Sequence, residues 1–163
     1  MRYGIWIIVG MALFFLCSIL GSQSGANSTS GAPMTMCMDC HGMPKGAEIR
    51  VENLPSSFQP GATYEMTVKV SSAVRSEGDV QGGFAVSASA GELVVTDPDN
   101  TMKSNGYITH TAEGSLHRSW KFKWKAPVEK KKVTLNVSVI AANGDFAPAN
   151  DAFARREFVI SPR

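Results

Sequence analysis

Ser119-Trp120-Lys121-Phe122-Lys123-Trp124-Lys125-Ala126 alternates an aromatic residue with a lysine three times over. In an extended strand successive side chains point to opposite faces, so this alternation puts Trp120, Phe122 and Trp124 on one side and Lys121, Lys123 and Lys125 on the other. The aromatic face is read as core rather than as a platform for stacking a ligand, and the lysine face as the solvated one.

The same two-residue period continues outward from this stretch. Tyr64, Met66, Val68 and Val70 alternate with Glu65, Thr67 and Lys69, a half-buried strand. Further strands are predicted at Ala47 to Leu54, Gly83 to Ala90, Glu92 to Thr96, Tyr107 to Thr111, Val133 to Ala142 and Phe153 to Ile160. Turn clusters separate them, among them Gln59-Pro60-Gly61, Asp97-Pro98-Asp99-Asn100 and Asn143-Gly144-Asp145. No stretch carries a helical apolar stripe. Short strands with frequent turns predict an all-β, two-sheet antiparallel sandwich over residues 47–163.

Charge narrows the functional classes. The formal net charge of the 163-residue chain is only +2, and its one basic run, Lys130 to Lys132, sits between two predicted strands, where it reads as a solvated turn. Nothing here points to nucleic acid.

The first 26 residues read as a secretory signal. Arg2 precedes the apolar run Ile5 to Leu20, and small and polar residues follow it from Gly21 to Ala26. The run is shorter than the ~20 residues of a spanning helix, which favours cleavage near Ser24 or Ala26; an uncleaved anchor, and with it membrane attachment, is the alternative. Cys17 lies inside the run behind Leu16, not behind the small residue a lipoprotein site wants, and is read as a packing residue lost with the signal. Residues 27–46 then form a Ser/Thr/Gly-rich lead-in that carries the two remaining cysteines.

Those cysteines stand in Cys37-Met38-Asp39-Cys40-His41. Two thiols at this spacing can each add to one vinyl group of the same haem while the next residue supplies an imidazole to the iron, and C-x-x-C-H is accordingly read as c-type haem attachment. Three other readings are weaker. A thioredoxin-like redox pair needs a βαβ context, and all-strand sequence follows. Structural zinc wants a fourth ligand, and no second cysteine pair exists. A disulfide over so small a loop stabilises little and leaves His41 without a role. The neighbouring Met34, Met36, Met38 and Met43 would suit Cu(I) together with the thiols, which makes copper binding or delivery the rival from another class. Their competing reading is flexible packing against an apolar haem edge.

An electron-transfer haem usually takes a second axial ligand, commonly Met or His. The methionines beside the motif are badly placed to wrap to the far face. The distant candidates are His110, His117, Met66 and Met102. His110 shares a face with Ile108 in a short β-like run, whereas His117 lies in a loop-like stretch that reads as exposed. His110 is therefore the first choice and Met102 the second, and a His110 ligand predicts a bis-histidine haem of lower potential than a His/Met one.

The chain from residue 31 to 160 resembles bacterial reeler-like exported proteins, also described as the choice-of-anchor V family, in the form that carries an N-terminal CxxCH. The resemblance rests on Gly31-Ala32-Pro33 before the motif, Leu54-Pro55, Phe58 to Tyr64, Gly83-Phe84, Tyr107 to Thr111, Ser119 to Pro127 and Ala141 to Asp145. It implies an immunoglobulin-like, reeler-type sandwich with one covalently attached haem c on Cys37, Cys40 and His41, and it places the histidine of Thr109-His110-Thr111 in the haem pocket. Such proteins often end in an anchoring tail, and none follows the last predicted strand here, so a free periplasmic or secreted protein is expected. The functional expectation is an exported monohaem c-type cytochrome, an electron carrier or redox subunit serving partner proteins rather than an enzyme. A cell-surface module with a structural or sensory haem is the further alternative.

Overall fold

The computed structural model describes residues 46–163, and the sandwich they form is organised around the aromatic and lysine strand. That strand, β8 (Ser119–Lys125), lies between β3 (Thr63–Ser72) and β5 (Glu92–Val95) in a four-stranded sheet, with β1 (Ala47–Glu52) on the far side of β3. The facing six-stranded sheet runs in the order β2 (Ser57–Phe58), β10 (Ala152–Pro162), β9 (Val133–Ala141), β4 (Gly82–Ala88), β7 (Tyr107–His110) and β6 (Thr101–Ser104).

Register follows from which faces must be buried. Met66 lies opposite Phe122, Val68 opposite Trp120 and Leu93 opposite Trp124, so every inward position of β8 has an apolar neighbour in its own sheet. From the other sheet Val133, Leu135, Val137, Val139 and Ala141 alternate inward along β9. A one-residue slip of β8 would turn three lysines into this core, and that cost fixes the pairing. Trp120 stacks on Phe84 with centroids 4.8 Å apart, while Trp124 meets Phe58 edge-on at 5.4 Å and stacks on Tyr64 at 5.8 Å. Each indole also satisfies its polar atom: Trp120 Nε1–H donates to the carbonyl of Gly114 (2.7 Å) and Trp124 Nε1–H to that of Ala90 (3.0 Å).

On the outer face the lysines are balanced by carboxylates. Lys123 lies 3.7 Å from Glu65, Lys69 3.0 Å from Glu52 and Lys103 3.4 Å from Glu92. Exposed pairs of this kind add little stability, but they leave no strongly basic field on the sheet. Lys130 to Lys132 are exposed between β8 and β9, as the sequence predicts.

The sequence expectation misses two strands and a helical turn. β6 and β7 form a hairpin through Asn105 (φ 46°) and Gly106 (φ 85°), the two positive-φ residues a type I′ turn requires. β2 is a two-residue edge strand whose pairing with β10, Ser161 to Ser57 and Pro162 to Phe58, is parallel in an otherwise antiparallel sandwich. A single 3-10 turn occupies Glu113–Leu116. β1 stops at Glu52 rather than Leu54 because Asn53 turns the chain at φ 58° just before Pro55.

The two faces of β8 make opposite predictions. Phe122→Ala is expected to cost about 3–5 kcal/mol in urea unfolding, since it empties a fully buried site, whereas Lys121→Ala should stay within about 0.5 kcal/mol. Equal effects would mean that the register is wrong.

Candidate functional site

β7 ends at His110, and its pairing with β4 stops one residue earlier, at Thr109 opposite Ala85. The next ladder position on β4, Phe84, therefore finds a side chain where a strand would otherwise continue. Phe84 N–H lies 3.2 Å from Nδ1 of His110 and Phe84 C=O 3.3 Å from the same atom. These are alternatives set by the tautomer: an unprotonated Nδ1 accepts from the N–H, and a protonated one donates to the carbonyl. Thr109 Oγ1–H donates to the same carbonyl at 2.7 Å and lies 3.4 Å from Nδ1.

The ring is packed from three sides. A Cβ at Gly83 would come within 2.4 Å of His110 Cε1 and 2.9 Å of Nε2, so only glycine leaves room for the imidazole there. A Cβ at Gly114, in the 3-10 turn that Trp120 holds, would sit 3.1 Å from His110 Cβ. The Trp120 indole lies 6.3 Å away, tilted by 43°. His110 is 7% exposed, and burial, partly offset by the hydrogen bond its Nδ1–H can donate to the Phe84 carbonyl, lowers its pKa from 6.5 to about 4. At neutral pH it is an uncharged imidazole, the form in which histidine binds metal.

This end of the sandwich gathers several chain segments. Registers of Gly82 with Ala141, Ala141 with Ala152 and Ala47 with Ser72 place the start of β4, the end of β9, the start of β10 and the start of β1 together. Arg118 ties the connecting segments: its guanidinium group donates to the carbonyls of Val74 (2.8 Å), Gln81 (3.0 Å) and Ala142 (3.2 Å). The β9–β10 loop is folded on Asn143, which donates to Asp145 and whose own backbone N–H is accepted by the buried Asp151. That loop presents Phe146, 78% exposed at φ 60°, to solvent.

The first described residue, Gly46, also lies here: a Cβ on it would be 4.0 Å from Cβ of Ala152. Three strand spacings, β10 to β9 to β4 to β7, separate that point from the strand bearing His110, about 14 Å at ~4.8 Å each. Five residue steps separate His41 from Gly46, a reach of up to ~17 Å when extended.

Of the sequence-predicted site residues, Cys37, Cys40 and His41 lie outside the described residues, as do Met34, Met36, Met38, Met43, Cys17 and the apolar run at 5–20. Of the candidate second ligands, His110 alone combines burial with a position at this end. Met66 is buried in mid-strand opposite Phe122. Met102 is 36% exposed on the row of Thr109, and His117 is exposed. Among the described residues no three His, Cys, Asp or Glu side chains are grouped to hold a metal. Among the described residues no helix is long and apolar enough to cross a membrane. Sequence reasoning overlooks Thr109 and Arg118, both masked by ordinary strand and loop composition. It quotes Gly83-Phe84 without assigning those residues a job.

No family model matches the chain, and no curated protein matches it in sequence. Among solved structures the chain is similar to the Reelin-N domain of F-spondin, at 19% identity over 79% of this chain and 96% of that one, with a TM-score of 0.52. It is also similar to the human F-spondin reeler domain, at 16% identity over 79% and 99%, with a TM-score of 0.53. The body is a reeler-like β-sandwich. Identities this low establish the fold alone.

The lowered pKa of His110 has a signed consequence for stability, to be read in protein carrying Cys37→Ser and Cys40→Ser. Between pH 6.5 and about 4 the unfolded chain binds a proton at this residue that the folded one refuses, so stability falls as pH is lowered through that window and levels off below it. The loss amounts to about 3 kcal/mol at ~1.4 kcal/mol per pH unit. Urea unfolding from pH 7 to 4 should show this excess loss relative to the same protein carrying His110→Asn; parallel curves would refute the assignment.

Proposed function

We propose that the protein is an exported monohaem c-type cytochrome, an electron carrier or redox subunit, in which Cys37 and Cys40 hold the haem and His41 and His110 are its axial ligands. The observation that carries this reading is the location of a buried, neutral histidine at the sandwich end where the CxxCH-bearing segment joins the body, within that segment's reach. When bound, haem supplies one-electron iron chemistry.

The chain's own residues supply position and environment. Phe84 and Thr109 hold Nδ1 of His110 and so fix the orientation of the imidazole. Gly83 leaves the room that the imidazole itself occupies against β4. Stacked Phe84 and Trp120 present an apolar floor beneath it. Arg118 fixes three connecting segments, so the site does not have to order them when an electron partner docks. The apolar run at 5–20 followed by small residues supports an exported, periplasmic or extracellular location, attached to the membrane only where that run is retained.

The test is expression in cells competent for c-type maturation. The purified protein should show a Soret band and an intact mass that includes one haem, with the signal removed. Colourless protein with both thiols free or paired overturns the reading, and copper at stoichiometry in such material would favour the Met/Cys/His cluster as a copper site. In the haem-loaded protein His110→Ala should convert a low-spin spectrum to high-spin and open the iron to CO, while His117→Ala leaves the spectrum unchanged.

A further inference from the structure

The chain contains two Asn-Gly pairs, Asn105-Gly106 and Asn143-Gly144, and the fold treats them in opposite ways. In such a pair the backbone nitrogen of glycine can attack the side-chain carbonyl carbon of asparagine, because glycine has no Cβ to hinder the approach. A C–N bond forms, the side-chain nitrogen leaves as ammonia, and water opens the resulting cyclic imide at either carbonyl to give aspartate or isoaspartate. The reaction needs a side-chain amide free to swing, a glycine N–H not committed to a ladder, and room for the backbone to bend.

Asn143 is locked. Its Nδ2 donates to Asp145 Oδ2 at 2.9 Å and to the Ala149 carbonyl at 3.3 Å, and its Oδ1 accepts from the Asp145 N–H at 3.2 Å. Its main chain is tied as well, N–H to Asp151 Oδ1 and C=O to the N–H of Glu77. Gly144 has no room to move: a Cβ on it would lie 2.6 Å from the backbone nitrogen of Gly78. Asn105 is the opposite case. It is exposed at the tip of the β6–β7 hairpin, and among the described residues no hydrogen bond holds its side chain. Ser104 opposite Tyr107 closes the turn, which leaves the Gly106 N–H outside the ladder. A Cβ on Gly106 would meet nothing within 4 Å. β6 is a four-residue edge strand, so the tip can open without disturbing the core.

We propose that Asn105 is a site of self-modification: in the folded protein the backbone nitrogen of Gly106 converts its side-chain amide to aspartate and isoaspartate, while Asn143 stays intact. The inference is independent of the haem reading. Its product is more than a change of charge. Isoaspartate routes the main chain through the former side chain and adds a methylene to a turn built on two successive left-handed residues. The hairpin register of Thr101 with His110 and Met102 with Thr109 is set by that turn, so β6 loosens from β7 in the isoaspartate form. The amide of Asn143, by contrast, is a structural part that spans its loop, and the bonds that make it so also protect it.

The test ages the full-length folded protein in mildly alkaline buffer made with heavy-oxygen water, which labels each asparagine as it converts. Peptide mass spectrometry at intervals then gives a rate for each site. In folded protein the Asn105 peptide should gain label at least about tenfold faster than the Asn143 peptide, since the side-chain hydrogen bonds of Asn143 must break before it can react. In the same protein unfolded in urea the two sites should convert at similar rates, which assigns the difference to the fold and not to the neighbouring residues. The aged material should contain isoaspartate at position 105, and amide hydrogen exchange in β6 should be faster in that fraction than in fresh protein. Equal rates in the folded state, faster conversion at Asn143, or an Asn105 that keeps its amide throughout overturns the proposal. A rate ratio unchanged by unfolding overturns it equally, because the sequence alone would then set the preference.

Discussion

Two indole rings on one strand carry the sandwich. Because side chains alternate along an extended chain, Trp120 and Trp124 fall on the same face of β8 near its two ends, and each closes one end of the core. At the Trp124 end the partners are Phe58, Tyr64 and the carbonyl of Ala90; at the Trp120 end they are Phe84 and the carbonyl of Gly114. Buried indole N–H groups are costly to leave unpaired, so both contacts also fix loops that have no strand ladder of their own. The 3-10 turn at Glu113–Leu116 is held in this way, and with it the wall against which His110 packs.

Legibility in the sequence followed how local each determinant is. The alternation in β8, β3 and β9 is visible in a few residues, and those strands lie where the pattern puts them. β2 is too short to show any period, and its partner is the far end of the chain. β6 carries only four residues, yet the Asn105-Gly106 pair after it is a strong hairpin signal that a search for alternation passes over. The candidate site divides in the same manner. His110 is legible from a short inventory of histidines and methionines. The reason its ring stays in place, a ladder that ends one residue early and a glycine facing the imidazole, depends on contacts 25 or more residues apart in sequence.

His110 has a structural job as well as a chemical possibility, and the two do not exclude each other. A side chain that completes a strand ladder is gripped on Nδ1, and that grip is what a metal site demands of the atoms behind a ligand. The cost falls on folding: a buried imidazole with a lowered pKa is a weak point in acid. An apolar residue at the end of β7 would avoid the desolvation and the pH sensitivity but would leave the buried backbone of Phe84 without this partner.

Arg118 shapes this end electrostatically as well as mechanically. Its guanidinium group meets three carbonyl oxygens, and among the described residues it forms no ion pair, so a full positive charge is held by dipoles rather than neutralised by a carboxylate. Partial burial lets the field of this fixed cation reach farther than it would in water. The loop arginine and the strand-end imidazole reside in different parts of the fold, so either can change with little disturbance to the aromatic packing of β8 beneath them.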